Sequence, residues 1–333
     1  MDAEGKQKRV IVITGPTATG KTALAAHYAK TNGGEIVSAD SMQIYKHMDI
    51  GTAKPTEDEK LGVPHHMIDI IPPWEDYSAA RYVAEAAQIV DDIQRRGKTP
   101  IIVGGTGLYI DSLLSGRIFS PQPESCLRRG LENEYDETGG EAMLQKLNYF
   151  DSVSAEKLHP NDKKRIVRAF ETYRTSGKPI SQHDLETQAL PPRYEALKIA
   201  LTFSDRAELY ARIDRRVEIM CSQGLEQEVR TLLEMGVPPA ATAMQAIGYK
   251  EMVGVISGVL SRDAAIDKIK MESRRYAKRQ LTWLRRDDTV NWITWEKTPD
   301  IEMAVSQITN YKSQITNHPP SADGTLFTKE GKG

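Results

Sequence analysis

The sequence predicts an α/β fold: a parallel β-sheet core with helices on both faces and an inserted helical domain. Three observations carry this expectation. Short β-branched runs alternate with helical stretches in the first hundred residues and again after residue 194, a rhythm that demands parallel strands joined by crossovers. One strand-to-helix junction reads Gly15-Pro16-Thr17-Ala18-Thr19-Gly20-Lys21-Thr22, a P-loop pattern in the context that gives the pattern meaning. Between Pro121 and Pro192 the rhythm lapses into charged, helical sequence without a convincing strand.

Val10–Thr14 is a β-branched run closed by Gly15-Pro16, hence a buried strand. The Ala-rich stretch Thr22–Lys30 is a helix that stops at Asn32-Gly33-Gly34, and Glu35–Ser38 is the next short strand. From Tyr77 to Arg96, apolar residues recur at Val83, Ala86, Ala87, Val90 and Ile93, the spacing of one helix face, and Gly97 ends the run. Thr99–Val103 is a third strand, followed by Gly104-Gly105-Thr106-Gly107 and a helix through Leu114. After the insertion, Ala196–Phe203 alternates as a strand, and Asp205 with Glu208 suits a capping box for a helix through Met220. The expected division is residues 1–118 and 194–312 for the sheet core, 119–193 for the insertion, and a disordered tail over 313–333, where Asn, Pro, Ser, Gly and Lys mix without periodicity.

The 333 residues, at about 150 per domain, allow two such units. With 39% hydrophobic and 27% charged residues, disordered and collagen-like classes are excluded. No apolar run reaches the roughly 20 residues of a membrane span, so no membrane partner is expected. Cys126 and Cys221 lie far apart in no zinc or redox spacing, which fits a reducing cytoplasm. The net charge of −2 at first argues against a nucleic-acid partner.

In the P-loop, glycines let backbone N–H groups converge on phosphate oxygens and the helix N-terminus adds partial positive charge. Lys21 supplies a full charge, and the Thr22 hydroxyl suits a Mg2+ ion bridging phosphates. The expected triphosphatase carboxylate is missing, since the strand Thr99–Val103 ends in Gly104-Gly105-Thr106, either a second anion contact or an ordinary turn. Asp40 follows the second strand and therefore projects at the same sheet edge, as a metal ligand, a base or merely a cap. The segment from Asp40 to Pro55 interleaves polar and aromatic groups without amphipathic period, which suits a binding loop more than a core element. His65-His66 lacks the spaced partners of a metal site.

Together the motifs GPTATGKT at 15–22, DSMQIYKHMDIGTAKP at 40–55, GGTGLY at 104–109, HPND at 159–162, AIGYKE at 246–251 and AKRQLTWLRR at 277–286 resemble those of bacterial tRNA dimethylallyltransferases, from about Arg9 to Trp295. The resemblance implies transfer of a dimethylallyl group from dimethylallyl diphosphate to N6 of adenosine 37, next to the anticodon. It implies that Gly15, Pro16, Thr17, Ala18, Thr19, Gly20, Lys21 and Thr22 hold the diphosphate and Mg2+, with Thr22 as metal ligand. It implies Asp40 as the adenine anchor and base, with Thr17, Lys21 and an arginine assisting. Arg212 and Arg216 stand one helical turn apart, and sequence leaves open which contacts the diphosphate.

Taken with the charge pattern, the resemblance implies tRNA contacts at Asp40, Ser41, Met42, Gln43, Thr106, Arg128, Lys164, Arg165, Arg168, Gln245, Gly248, Lys250, Arg275, Lys278 and Arg279. Projected at about 100° per residue, the helix from Ile266 to Arg286 places Arg274, Arg275, Lys278, Arg279, Arg285 and Arg286 opposite its apolar side. Eight cations face one acid, Glu272, within residues 268–286, so the net −2 hides +7 there and −9 elsewhere. Lys163, Lys164, Arg165 and Arg168 form a second basic concentration. Two such stripes suit phosphate tracking along an anticodon stem-loop. The chain is expected to act as a monomer. A P-loop kinase of small metabolites, a prenyltransferase of free adenine nucleotides and a non-enzymatic RNA-binding protein are the competing readings; the last two share parts of the pattern, and the kinase shares only the P-loop.

Overall fold

The computed structural model describes residues 8–117, 119 and 125–317. In chain order the elements are β1 (Arg9–Thr14), α1 (Lys21–Asn32), β2 (Gly34–Ser38), α2 (Glu57–Lys60), β3 (His65–His66), α3 (Ala79–Arg95), β4 (Thr99–Val103) and α4 (Gly107–Ser115). The helices α5 (Ser125–Thr138), α6 (Gly140–Asn148), α7 (Ser152–Lys157), α8 (Lys163–Ser176) and α9 (Ile180–Gln188) follow. The chain then forms β5 (Glu195–Phe203), α10 (Arg206–Ser222), α11 (Leu225–Glu234), α12 (Tyr249–Ile256), α13 (Arg262–Leu284), β6 (Asn291–Trp295) and α14 (Ile301–Asn317). The described residues fall into two compact units, one of residues up to 111 together with those from 194 onward, the other within Ser112–Arg193.

The first unit is built on one parallel sheet of order β3-β2-β4-β1-β5-β6. β1 lies centrally, with Ile11 opposite Ile101 and Leu197 and Ile13 opposite Val103 and Ile199. These residues join Leu24, Tyr28 and Ile308 in one core, while Val10, Val12, Val37 and Ile102, pointing the other way, are buried too. Burial on both sides explains the nearly continuous apolar runs that mark the strands. Because every strand is parallel, the segments after β1, β2 and β4 emerge at one carboxyl edge.

Several expectations need correction. The segment 40–55 is no mere binding loop, since Ile44, Tyr45 and Met48 are fully buried in a second core with Leu225, Met244 and Tyr249. Its turns break the period that would have revealed this. Asp205 caps α10 through the Ala207 N–H (2.8 Å), without the reciprocal Glu208 bond of a capping box. Residues 313–317 belong to α14, whose Ala304 and Ile308 anchor it in the first core; positions 318–333 lie outside the described residues. His66 is absorbed by structure: its Nε2 meets Glu35 (2.8 Å), which also takes Arg96 and Lys98. The Arg96 guanidinium holds the buried Glu35 carboxyl far below the usual carboxylate range. Cys126 and Cys221 are both free.

The second unit, Ser112–Arg193 against the 119–193 expected, closes its own core of Leu131, Met143, Leu147, Ile166, Val167 and Phe170. The HPND segment ends where α8 starts, with the Asn161 N–H donating to His159 Nδ1 (3.1 Å) and Tyr135 hydroxyl to the Pro160 carbonyl (2.5 Å).

Candidate active site

The loop between β1 and α1 is held in shape before any ligand arrives. Thr19 Oγ1 donates to the Pro16 carbonyl (2.8 Å), Trp295 Nε1 to the Thr19 carbonyl (3.0 Å) and the Thr17 N–H to Gln280 Oε1 (3.1 Å). Ala18 takes a left-handed conformation, φ 66°. A turn fixed this way presents its amides without having to order them on binding. Lys21 Nζ donates to the Pro16 carbonyl (2.6 Å), and burial lowers its pKa to about 7, with Arg216 pushing the same way and Asp40 opposing.

The neighbouring wall comes from the segments after β2 and β4. The Ala39 N–H donates to the Val103 carbonyl (2.7 Å), the Thr106 N–H to the Ala39 carbonyl (3.2 Å) and the Ser41 N–H to Thr106 Oγ1 (3.1 Å). Gly104 lies so close to the Ala39 backbone that any side chain there would collide with it, which gives this turn its glycine. Asp40 Oδ1 accepts from the Met42 N–H (2.9 Å), so the carboxylate does cap a turn, and it lines the cavity as well. Gln280 Nε2 donates to the Gly105 carbonyl (3.0 Å) while its Oε1 holds Thr17. One buried amide thus bolts the P-loop to the second glycine turn, which is therefore structural as well as site-lining.

These walls enclose a cavity of about 750 Å³. Its lining combines Thr17, Gly20, Lys21, Thr22, Asp40, Gln43 and Arg216 with further polar groups such as Asp49, Lys54, Glu59 and His65, and with the apolar side chains of Ile36, Ile50, Leu61, Ile68, Val103, Ile219 and Met220. Lys21 and Arg216 together attract an anion and Asp40 accepts a proton or a donor group. The apolar side chains in the lining suit a small hydrocarbon attached to that anion. Tyr276 also lines the cavity, and burial pushes its phenol up to about 12, so it stays a hydrogen-bond donor.

The structure separates the two arginines left open by sequence. Arg216 lines the cavity, where burial pulls its guanidinium below the ordinary value and Asp40 opposes the shift. Arg212 instead sends Nε to the Ala18 carbonyl (3.2 Å) and lies over the Phe203 ring, bracing the P-loop from outside. One helical turn is the right spacing for a shared face but does not fix where the side chains end.

Of the other candidate contacts, Gln43 lines the cavity, Ser41 and Thr106 are bonded to each other without lining it, and Met42 packs against the second core. On α13, Arg274 is spent on Asp214, Lys270 on Glu218 and Arg275 on Glu272, whereas exposed Lys278 and Arg279, with Arg285 and Arg286 just past its end, have no ion pair among the described residues. Gln245 Nε2 donates to the Pro239 carbonyl (2.9 Å), Lys250 lies 3.7 Å from Glu251, and Gly248 precedes α12 with φ 100°. Within the second unit, Arg128 and Arg168 both face the buried Glu171 (3.4 and 3.5 Å), Arg165 pairs with Asp162, and Lys164 is exposed. Gln280 and Tyr276 escaped sequence reasoning because they lie on the core-facing side of α13, opposite the basic stripe, where a buried polar group gives no periodic signal.

The model of the family described as IPP transferase matches residues 43–287, and that described as isopentenyl transferase matches residues 8–69. The chain is 47% identical over 305 residues to the tRNA dimethylallyltransferase of Acetivibrio thermocellus, covering 91% of this chain and 96% of that one. It is 49% identical over 286 residues to that of Carboxydothermus hydrogenoformans, covering 86% and 91%. Among solved structures it resembles the tRNA isopentenylpyrophosphate transferase of Bacillus halodurans (TM-score 0.69, 38% identity, 94% of this chain and 100% of that one). It also resembles a eukaryotic dimethylallyltransferase described as acting on tRNA (TM-score 0.80, 30% identity, 95% and 81%). With the match spanning the P-loop, the Asp40 edge and the basic helix alike, the chain belongs to the IPP transferase family.

Proposed function

We propose that this protein transfers the dimethylallyl group of dimethylallyl diphosphate to N6 of adenosine 37 in tRNA, releasing diphosphate. The observation that carries the reading is the cavity that Lys21, Arg216 and Asp40 line together with several apolar side chains. The adenine amine is a poor nucleophile, because its lone pair is delocalised into the ring. Asp40 accepts a proton from N6 as the new N–C bond forms; the C–O bond of the donor breaks, and Lys21, Arg216 and the P-loop amides take up the charge left on diphosphate. The donor set suits Mg2+: the Thr22 hydroxyl and the donor's phosphate oxygens are hard ligands. When bound, the cation neutralises leaving-group charge.

Because the target base normally stacks in the anticodon loop, it must be flipped to reach this cavity. The helical unit, as an inserted tRNA-binding domain, and the exposed cations of α13 are assigned to the anticodon stem-loop. The enzyme is read as a cytoplasmic monomer; among the described residues no helix is long and apolar enough to cross a membrane. Incubation with Mg2+, labelled dimethylallyl diphosphate and unmodified tRNA should place label in the RNA. Label in AMP instead, or ATP-dependent phosphorylation of a small metabolite, would sink the reading.

Two further outcomes follow from the site's charges. Free Lys21 titrates at about 7, and an anion beside it favours the ammonium form. Donor binding should therefore take up a proton above pH 7 and none well below it, with affinity weakening toward about tenfold per pH unit above 7. Calorimetry in buffers of different ionisation enthalpy measures this; absence of uptake at pH 8 contradicts it. Lys278→Ala with Arg279→Ala should weaken tRNA binding and reduce the magnitude of the log–log salt slope by about 1.5–2. Filter binding across a salt series checks it, and an unchanged slope moves the RNA surface elsewhere.

A further inference from the structure

We infer that Glu228 and Tyr249 are a positioning pair for the tRNA side of the cavity, acting through the turn at residues 49–53. The inference rests on the prenyl-transfer reading above. Neither residue lines the cavity. Glu228, on α11, accepts the N–H groups of three consecutive residues, Asp49 and Ile50 on Oε2 (2.8 Å each) and Gly51 on Oε1 (3.2 Å). Tyr249, fully buried at the start of α12, donates its hydroxyl to the same Oε1 (2.6 Å). Successive amides converging on one point form an anion-binding nest, and here the anion is the protein's own carboxylate. Gly51 sits against the Tyr249 ring and the Leu225 side chain, where a Cβ would collide with both. The turn is thus clamped from both sides, by charge at its amides and by close packing at its glycine.

What the clamp positions lies one step further along the chain. The carbonyls of Thr52 and Ala53 accept from Gln43 Nε2 (3.3 Å each), and Ser38 Oγ donates to Gln43 Oε1 (3.1 Å). Ala53 is held left-handed, φ 46°, a conformation that a non-glycine residue keeps only under external constraint. Gln43, Asp49, Ile50, Thr52 and Ala53 all line the cavity. The sequence motifs around Asp40 and around Tyr249, more than 190 residues apart, therefore meet as one device: α11 and α12 set the backbone of the turn, and the turn sets the Gln43 amide three residues from Asp40. The P-loop, which meets the diphosphate, is bolted separately through Gln280 and Trp295.

This separation defines the test. Glu228→Ala leaves three amides facing an empty carboxylate site and should lower kcat/KM for tRNA by about 10- to 100-fold, with the Kd of dimethylallyl diphosphate changed less than about twofold. Formate, refilling the nest, should restore part of the lost rate in a concentration-dependent way. Tyr249→Phe, which removes one of four bonds and preserves the packing, should give the same asymmetry at about three- to tenfold, and it keeps the question open to measurement if Glu228→Ala does not fold. Amide exchange of residues 49–51 should accelerate in both variants. Equal losses toward donor and tRNA, wild-type kinetics, or unaltered exchange would each overturn the inference. If the wild-type protein fails to transfer label to tRNA, the functional reading falls by itself, while the exchange comparison still decides whether the pair holds the turn.

Discussion

Replacing Asp40 by Asn is expected to lower the single-turnover rate of prenyl transfer by about 10³-fold or more while leaving tRNA affinity within about threefold. The structure makes Asn the informative substitution. Asp40 Oδ1 accepts the Met42 N–H at 2.9 Å, and an amide oxygen in its place keeps that turn, so the 40–55 segment and its buried Ile44, Tyr45 and Met48 remain folded. What is lost is the ability to take a proton from N6. Asp40→Ala abolishes transfer too, but also removes the turn cap, at about 1 kcal/mol, so it confounds chemistry with local order. Rapid-quench measurement at saturating donor, paired with filter binding, separates the two effects. An Asn variant that transfers at the wild-type rate would move the base elsewhere, and one that no longer binds tRNA would make Asp40 an anchor only.

How much of this was legible in the sequence depends on the range of the interaction. Strand–turn–helix junctions depend on neighbours a few residues away, so β1, β2, β4 and β5 and the P-loop could be read from periodicity and glycine placement. The two-residue β3 is too short for any period, and β6 with α14 carries a pattern that only the Trp295 bond to Thr19 and the packing of Ile308 explain. The same limit applies to the site. Lys21, Thr22 and Asp40 announce themselves by motif and by their place at a sheet edge. Gln280 does not, because its partners are Thr17 and Gly105, each more than 170 residues away. Segment 40–55 lines the cavity as a binding loop would, but the burial of Ile44, Tyr45 and Met48 is not legible locally, because they enter a core completed by α11 and α12, which no local window contains. Net charge conceals the basic stripe for a related reason: cations on α13 at positions 270 and 274 are offset by acids on α10, and among the described residues Lys278, Arg279, Arg285 and Arg286 have no such ion pair.

The two arginines of α10 supply the second large effect, because sequence treats them alike and structure does not. Arg216→Ala should reduce kcat by about 10²- to 10³-fold, since it removes a buried positive charge from the cavity proposed to hold the departing diphosphate. Arg212→Ala should cost less than about tenfold in rate and instead lower stability by about 1 kcal/mol, through the lost bond to the Ala18 carbonyl and the lost contact with Phe203. Steady-state kinetics with thermal melts on both variants distinguishes them, and comparable rate losses would refute the division of labour. A signature in protonation strengthens the test. Arg216 is one of the causes that lower the Lys21 pKa to about 7, so its removal lets that pKa rise. At pH 8 the variant's Lys21 is then more fully protonated before the donor arrives, and proton uptake on binding should shrink relative to wild type. Arg212, which is not among the causes of the Lys21 shift, should leave the uptake unchanged. A weak catalyst with undiminished uptake would mean that Arg216 acts at a distance from Lys21, and the two could not then share the departing diphosphate.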